Sequence, residues 1–320
     1  MLSTWENHLL VFRLYPLRFS FIARESLYFA PGKSSNILRG AFGTIFRRIA
    51  CVTECAEPRE CQWRATCPYA RIFEPSRLTS GPSGLADWPR PFVFRASHLD
   101  GRTLKAGETF HFDLSLFDVR RPVIAYLVLA FAELAREGLG PGRARVDLAS
   151  VSQLNEKGEC ETAIFDGDSL LEQSARPLEL SFHAPAEPVT HLCVHFLSPT
   201  ELKSNSRLVE RPEFSILAAR IRDRISTLRE LYDNGPLPID FHALGERAAL
   251  IRMTRGDIRQ VEITRRSSRT GQAHPIGGFI GEAEYEGDLT EFVPYLRAAT
   301  WTGVGRQTVW GKGALSIEYP

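Results

Sequence analysis

The sequence predicts an α+β protein built from two units that share one order of secondary structure. In each half of the 320-residue chain, apolar residues alternate as in strands or recur at helical spacing, in the order β-α-β-β-α-β. A glycine-rich turn stands between the second helix and the last strand of each half, "GLGPGR" at 138–143 and "GVGRQTVWGKG" at 303–313. This order is the split βαβ arrangement, so we expect two tandem ferredoxin-like (RRM-like) domains.

The first half supplies the elements of an N-terminal domain, residues 1–185. "HLLVFRLYP" predicts a strand, and the helical spacing of apolar residues in "SNILRGAFGTIFRRIA" predicts a helix. A cysteine-rich insertion, about residues 51–67, follows that helix. "PFVFRAS" and "ETFHFDLSLF" then alternate as two strands, "RPVIAYLVLAFAELARE" predicts a second helix that ends at Gly138, and "ARVDLASV" predicts the last strand.

The second half repeats the order in a C-terminal domain, residues 186–320. "THLCVHFLSP" predicts a strand and "PEFSILAARIRDRISTLRELY" a helix, followed by the strand regions "ALIRMTRGDIRQVEITRRSS" and "IGGFIGEAEYEG". In "DLTEFVPYLRAATW", Asp288 and Glu291 have capping-box spacing, whereas Pro294 favours a later helix start or a kink. "GALSIEY" predicts the closing strand.

Composition and charge set limits on the class of protein. The net charge is only +1, and no apolar run approaches the roughly 20 residues of a membrane span. The N-terminus lacks the pattern of a signal peptide, so we expect a cytoplasmic protein that does not bind membranes. Between Arg247 and His274, however, the sequence contains seven arginines and only two carboxylates, which gives a local net charge of +5. That excess suits either a polyanionic partner or a solvated charged face.

The glycine-rich segment at 303–313 does not match the known mononucleotide loops. The spacing from Gly305 to Gly311 is one residue too long for a P-loop, Gly313 stands in place of its Ser or Thr, and the segment follows a helix. Glycines can instead let backbone N–H groups approach an anion, and the segment adds charge and an aromatic ring. A nucleic-acid contact is thus one interpretation of 303–313, and a tight structural turn is the other.

Four of the six cysteines cluster as Cys51, Cys55, Cys61 and Cys67. Their spacing is not that of paired zinc knuckles, but four thiols in a short polar segment can close a tetrahedral metal site. A structural zinc ion is our first expectation for this cluster. Free or redox-labile thiols and an iron–sulfur cluster remain the alternatives.

Two stretches resemble a known family of RNA-processing enzymes. "GGFIGEAEYEGDLTEFVPYLRAATWTGVGRQTVWGKGAL" (277–315), supported by "ILRGAFGTIFRRIAC" and "CPYARIFEP" (37–51 and 67–75), resembles the Cas6 family of the RAMP superfamily. That family consists of CRISPR-associated endoribonucleases that process precursor crRNA. The resemblance implies binding of CRISPR repeat RNA and one cut per repeat. The 2′-OH attacks the adjacent phosphate without a metal cofactor and leaves a 2′,3′-cyclic phosphate and a 5′-OH.

The resemblance also directs the search for catalytic groups. A histidine near the first helix often serves this family, but no histidine occurs from Arg18 to Cys67 here. Tyr28, Lys33 and Arg39 occupy the matching stretch and are our catalytic candidates. His274, in a polar connection among arginines, is a further candidate for a base, with RNA stacking or a surface position as alternatives.

The missing histidine leaves a second class of function open. The chain could be a non-cleaving crRNA-binding subunit of an effector complex with other Cas proteins, or, less in keeping with the resemblance, a metal or iron–sulfur redox protein. Under either RNA-binding reading, we expect the RNA to be bound by the second-domain hairpin and by the glycine-rich segment, through Arg265, Arg266, Arg269, Gly303, Gly305, Arg306, Gly311 and Lys312.

Overall fold

The first strand, β1 (Val11–Ala23), takes part in both of the units into which the chain divides. The computed structural model describes residues 10–51, 61–75, 88–266 and 272–319. The N-terminal unit contains residues 14–178, and the C-terminal unit contains residues 179–319 together with 10–13. Both units mix helices with antiparallel sheet, which confirms the mixed α/β content of the predicted class.

The sheet of the N-terminal unit has its first strand near the centre. The strands other than β1 are β2 (Leu27–Tyr28), β3 (Phe92–Arg95), β4 (Thr103–Leu104), β5 (Thr109–Leu116), β6 (Val146–Leu154) and β7 (Cys160–Phe165). The strand order is β3-β5-β1-β6-β7, and the short strands β2 and β4 pair with each other. Strands β3 and β5 pair antiparallel.

Aromatic side chains hold the helices of this unit on one face of the sheet. The helices are α1 (Ser34–Ala50), α2 (Pro68–Phe73) and α3 (Ile124–Glu137). The Phe131 ring of α3 lies 4.6 Å from the ring of Phe19 on β1 and 5.0 Å from that of Phe42 on α1. Each of these rings is fully buried, which is typical of a helix pair packed on a sheet.

The opposite face of this sheet carries paired polar side chains. Arg18 on β1 and Asp113 on β5 are register partners, and the guanidinium donates through two nitrogens to the carboxylate at 2.7 and 2.8 Å. Arg95 on β3 lies directly across from Asp113, and burial lowers the pKa of Arg95 to about 10. Period-2 alternation thus separates an aromatic face from a charged one.

The C-terminal unit contains a second antiparallel sheet with the order β12-β15-β9-β16. Phe214 packs its ring 5.1 Å from Tyr285 and 5.1 Å from Phe292, which joins a helix to the sheet. The strands are β8 (Leu178–Ser181), β9 (His191–Thr200), β10 (Lys203–Ser204), β11 (Arg207–Leu208), β12 (Arg252–Val261), β13 (Thr264–Arg266), β14 (Ala273–Pro275), β15 (Gly278–Glu286) and β16 (Leu315–Glu318). The helices are α4 (Phe214–Tyr232), α5 (Phe241–Ala248) and α6 (Val293–Thr302).

Some predicted element bounds need correction. The helix predicted from Asp288 begins as α6 at Val293, after a 3-10 turn at Thr290–Phe292, and no side chain caps α6. Pro294 then falls in its first turn, where a missing N–H costs nothing, so the later start that Pro294 suggested is confirmed. The predicted strand region at 249–268 is two strands, β12 and β13, and helix α5 was not predicted.

No helix within the described ranges combines the length and the apolar character that a membrane crossing requires.

Candidate nucleic-acid interface and catalytic groups

The glycine-rich segment 303–313 lies against the end of β9 because its glycines carry no Cβ. A Cβ on Gly305 would lie 2.4 Å from the Glu201 carbonyl oxygen, and one on Gly313 would lie 1.9 Å from that of Val304. Both glycines have positive φ, +79° and +66°. The backbone of the segment can therefore approach these carbonyl oxygens only with glycine at both positions.

The backbone N–H groups of this segment are largely used inside the protein. Gly303 donates to Ala299, Val304 to Gly313, Arg306 to Glu201 and Gly313 to Pro199, all to carbonyl oxygens at 2.8–3.0 Å. The expectation that the glycines present N–H groups to an anion therefore does not hold for these groups. Instead, they fix the segment beside β9.

The two basic residues of the segment have different surroundings. Arg306 is exposed and its guanidinium donates to the carboxylate of Glu201. Lys312 is only 3% exposed, so its predicted role as a surface contact for phosphate lacks an accessible ammonium group. Arg306 is therefore the accessible cation of the segment.

A hairpin of β13 and β14 projects next to this segment. His274 on β14 is half-buried and is the register partner of Arg265, and Arg266 is that of Ala273. The Gln307 amide donates to the Pro275 carbonyl oxygen at 3.0 Å, which ties the glycine-rich segment to the hairpin. The structure therefore places the strands that carry Arg265, Arg266 and His274 beside the glycine-rich segment, whereas Arg269 lies outside the described residues.

A cleft of about 460 Å³ opens between the hairpin and the end of β9. Its lining combines apolar residues with Glu201, Glu210 and Glu262. Acceptor oxygens on apolar walls suit a neutral, hydrogen-bonding ring such as a nucleobase better than a phosphate. The remaining lining residues are Thr200, Leu208, Val209, Gln260, Val261, Ile263, Thr264, Pro275, Gly277, Gly278 and Phe279.

The arginine-rich stretch is less positive in the structure than along the sequence. Arg252 pairs with Glu286 at 3.3 Å and Arg255 with Glu284 at 3.2 Å, both across strands β12 and β15. Arg247 pairs with Glu291, which lies 44 residues away in the sequence. Three of the seven arginines that give the predicted +5 are therefore paired with carboxylates.

The catalytic candidates of the N-terminal unit lie on α1 and on the segment that precedes it. Lys33 is exposed at the N-cap position, and Tyr28 is 52% exposed on β2. Arg39 is only 8% exposed and its guanidinium stacks over the Phe73 ring at 4.9 Å. Tyr28 and Lys33 are thus accessible to a substrate, whereas the position of Arg39 is that of a packing residue.

A histidine that the sequence did not suggest also lies near the start of α1. The N–H of Ser34 donates to the Asp100 carboxylate at 3.0 Å, and the Ser34 hydroxyl donates to the Ala96 carbonyl oxygen at 2.7 Å. These bonds hold the turn at 96–100 against the start of α1, and the exposed His98 lies within it. No local pattern could have indicated this proximity, because the two segments are more than sixty residues apart in the sequence.

The tautomer of His98 follows from its partner. Nε2 lies 2.9 Å from the His111 carbonyl oxygen, which can only accept a hydrogen bond. Nε2 therefore carries the proton, and Nδ1 of the neutral ring has a free lone pair. The two imidazole rings stack at 4.7 Å, and burial, with Arg18 nearby, lowers the pKa of His111.

The cysteine-rich segment is described only in part. Cys51 directly follows α1 and Cys67 directly precedes α2, while Cys55 lies outside the described residues. The thiols of Cys51, Cys61 and Cys67 are half-exposed and do not form a group of three ligand atoms within 4.8 Å. The described cysteines alone therefore do not make a preformed metal site.

Comparisons with known proteins agree with this organisation. A family model described only as an N-terminal domain matches residues 12–177, and the model of the CRISPR-associated endoribonuclease Cas6 family matches residues 194–315. An uncharacterized protein of Archaeoglobus fulgidus is 22% identical over 295 residues, which cover 91% of this chain and 93% of that protein.

Solved structures share the fold at low sequence identity. A Cas6 product complex has a TM-score of 0.57 and 18% identity, with 96% of this chain and 99% of that chain covered. Thermus thermophilus Cas6 has a TM-score of 0.53 and 16% identity, with 96% and 98% covered. A chain of a partial Cas6-RT-Cas1–Cas2 complex has a TM-score of 0.56 and 11% identity, with 96% and 46% covered.

Proposed function

We infer that this chain, which belongs to the Cas6 family of CRISPR-associated proteins, is an endoribonuclease that binds CRISPR repeat RNA and cuts precursor crRNA once per repeat. The observation that carries the proposal is the convergence of three elements in the C-terminal unit. The end of β9 and the β13–β14 hairpin line one cleft, and Gln307 of the glycine-rich segment donates a hydrogen bond to Pro275 in its wall. All three lie within the stretch that matches the Cas6 family.

We propose that the chain consists of two ferredoxin-like units, and the strand order of the two sheets supports this. In the N-terminal unit the four main strands lie in the order β3-β5-β1-β6, and in the C-terminal unit in the order β12-β15-β9-β16. Numbered within each unit, both orders are 2-3-1-4, with the helices after the first and third strands. That equivalence favours a duplicated βαββαβ fold.

Cleavage is proposed to proceed by attack of the substrate's own 2′-OH on the adjacent phosphate. The protein must then position the RNA, accept the proton of the 2′-OH and protonate the leaving 5′ oxygen, without a metal ion in the chemical step. His98 is a suitable base because its Nδ1 lone pair is free and its ring is exposed. Lys33, at the N-cap of α1, and Tyr28, on β2, are suited to stabilise the phosphorane charge and to donate a proton.

The RNA contacts are assigned to the C-terminal unit. The hairpin arginines Arg265, Arg266 and Arg269, with Arg306, would bind phosphates, and His274 would stack on a base. For Arg306 to bind RNA, phosphate must replace Glu201 as its partner. Other Cas proteins are proposed as further partners.

The decisive experiment is cleavage of labelled repeat RNA from the host's own CRISPR array in excess EDTA. We expect one cut per repeat that leaves a 2′,3′-cyclic phosphate, and we expect no cut when the nucleotide before the scissile bond is 2′-deoxy. Loss of cleavage in EDTA would exclude the metal-independent route. Tight binding without any cut would show a non-cleaving crRNA-binding subunit.

Single substitutions then test the catalytic groups. His98→Ala should lower the single-turnover rate by about 10²–10⁴-fold while repeat binding changes little, because a proton acceptor acts in the transition state. Lys33→Ala and Tyr28→Phe are measured in parallel. His242→Ala is the control, since His242 is exposed on α5. An equal, small effect of His98→Ala and His242→Ala would remove His98 from the mechanism.

We also propose a structural zinc ion bound by Cys51, Cys55, Cys61 and Cys67. Because Cys51 directly follows α1 and Cys67 directly precedes α2, a metal there would join the two helices through the intervening segment. Zinc analysis of the purified chain tests this, with the Cys61→Ser/Cys67→Ser variant expected to lose the metal.

A further inference from the structure

A group of metal-ligand atoms lies on the C-terminal sheet, apart from the cysteine-rich segment. The Sγ of Cys193, a ring nitrogen of His195 and a carboxylate oxygen of Glu282 lie within 4.8 Å of one another. Among the described residues, no other three metal-binding side chains have their ligand atoms this close together. All three side chains are partly accessible to solvent.

Strand register explains why these residues meet. Cys193 and His195 are two positions apart on β9, so their side chains share one face. Glu282 on β15 is the register partner of His195, and Glu318 on β16 is that of Cys193. The four residues therefore project from three neighbouring strands of one sheet, which is a rigid support for a ligand set.

The distances around His195 give each of its nitrogens a role. Nδ1 lies 3.4 Å from a carboxylate oxygen of Glu282, and Nε2 lies 3.5 Å from one of Glu318. A metal that binds Nδ1 leaves the Nε2 proton free to be donated to Glu318. A carboxylate on the second nitrogen is the usual means of fixing the tautomer and orientation of a metal-bound histidine.

The local charge favours a cation. The carboxylates of Glu282, Glu284 and Glu318 surround the site, and Arg255 is the guanidinium paired with them, at 3.9 Å from Glu282 and 3.2 Å from Glu284. One positive charge against three carboxylates leaves the site negative, which a divalent cation would offset.

We propose that Cys193, His195 and Glu282 bind a Zn²⁺ ion, with Glu318 as the hydrogen-bond partner of the bound histidine. Thiolate, imidazole and carboxylate together are a donor set that zinc prefers. Bonds of about 2.0–2.3 Å would place neighbouring ligand atoms about 3.3–3.8 Å apart, so ligands that now lie within 4.8 Å need to move by only about an ångström. The ion would link strands β9 and β15.

Cobalt spectroscopy on the full-length chain tests this proposal. Co²⁺ replaces zinc in such sites and absorbs visibly when it is tetrahedral and bound to thiolate. All four cysteines of the cysteine-rich segment are first replaced by serine, so that only Cys160 and Cys193 remain. We expect this parent to bind one equivalent of Co²⁺ with thiolate-to-metal absorption, which Zn²⁺ then displaces.

Matched variants of this parent assign the ligands. Cys193→Ser should abolish the absorption and Cys160→Ser should leave it unchanged. Glu282→Gln should weaken Co²⁺ binding more than Glu286→Gln, a neighbour on the same face of β15, and Glu318→Gln should weaken it by about 10–100-fold. Absorption that persists in Cys193→Ser, or its absence from the parent, would overturn the proposal.

Loss of folding is separated from loss of ligands by far-UV circular dichroism of each metal-free protein. If the four-serine parent does not fold, the same comparison is made in the native chain. There Cys193→Ser should reduce the bound Co²⁺ by one equivalent relative to Cys160→Ser. Equal stoichiometry in those two variants would equally overturn the proposal.

Discussion

The His98–His111 pair shows how two residues of one type acquire different properties. His111 lies on β5 beside the Arg18–Asp113 pair, and its surroundings include His98 and Arg102. Burial is the main cause that lowers the pKa of His111, and the charges of Arg18 and Arg102 act in the same direction. Asp113 opposes them in part. His111 is thus held neutral while the exposed His98 remains accessible.

This difference predicts a pH dependence of stability. Below the ordinary histidine pKa of about 6.5, the unfolded chain binds a proton at position 111 that the folded protein does not bind. The free energy of unfolding should therefore fall as the pH falls below that value, by up to about 1.4 kcal/mol per pH unit, until the lowered folded pKa is also passed. Urea denaturation across this range measures the slope.

The slope can be assigned by comparing two variants. His111→Gln should flatten it relative to the unmodified chain, whereas His242→Gln, on an exposed histidine of α5, should not. Identical slopes in the two variants would show that the burial of His111 does not control this part of the pH profile.

The surroundings of a residue were predictable from the sequence where they depend on the local pattern, and not where they depend on a partner far away in the sequence. The arginines of β12 were recognised as a basic stretch, but their partners Glu284 and Glu286 lie on β15. Likewise His98 reaches α1 only through bonds between residues far apart in the sequence. Charge counts along a chain omit such partners, so they overestimate the exposed charge of a strand.

At the scale of elements, the glycine-rich segment is a structural support of the C-terminal sheet. Its N–H groups bind the end of β9, and Ala314 donates to the Ser198 hydroxyl at 2.9 Å. The segment therefore fixes the cleft wall formed by Thr200 and Glu201 and contributes Arg306 at the surface. The structural-turn interpretation of 303–313 is therefore confirmed for these N–H groups, and an RNA contact through Arg306 stays a prediction.

Gly313→Ala should accordingly destabilise the protein. A positive φ costs a residue with a Cβ about 1–2 kcal/mol, and that Cβ would lie 1.9 Å from the Val304 carbonyl oxygen. The hydrogen bonds of Gly313 to Val304 and Pro199 would also be distorted, so we expect a total loss above about 2 kcal/mol. Thermal and urea denaturation measure it.

Gly40→Ala is the matched control. Gly40 is exposed in the middle of α1, and a Cβ there would meet no atom within 4 Å. Alanine should raise stability by about 0.5–1 kcal/mol, because glycine is less favourable in a helix. If both variants changed stability in the same direction, close backbone packing at Gly313 would not be the cause.

Element order was more predictable than element bounds. The β-α-β-β-α-β pattern emerged from apolar periodicity, which persists over whole strands and helices. The start of α6 did not, because Asp288 and Glu291 imitate a capping box that a 3-10 turn interrupts. Helix α5 was not predicted, and it is only eight residues long. Its N-cap Asp240 nevertheless accepts hydrogen bonds from the N–H groups of His242 and Ala243.

At the scale of the whole chain, the C-terminal unit is discontinuous in sequence. It includes residues 10–13, and the Phe182 N–H donates to the Leu10 carbonyl oxygen at 2.9 Å. Arg13 binds the carboxylate of Asp233 through two nitrogens, across 220 residues of sequence. Hence the beginning of the chain completes a unit whose remaining residues come after 178.

Arg13→Ala tests how much this link contributes. Asp233 is only 3% exposed, so the substitution leaves a buried carboxylate without its bidentate partner. Because Arg13 is itself 24% exposed, we expect a loss of about 2–3 kcal/mol, less than for a fully buried pair. Arg24→Ala, in the exposed pair with Asp147, is the control and should cost less than about 1 kcal/mol.

Asp233→Asn should destabilise at least as much as Arg13→Ala. Two guanidinium groups share this carboxylate, since the buried Arg229 also interacts with Asp233, and burial already lowers the pKa of Arg229. Without the carboxylate, Arg13 and Arg229 would repel each other in a poorly solvated position. Urea denaturation measures the free energy of unfolding of the three variants. If Arg13→Ala and Arg24→Ala lowered it by similar amounts, residues 10–13 would not stabilise the C-terminal unit.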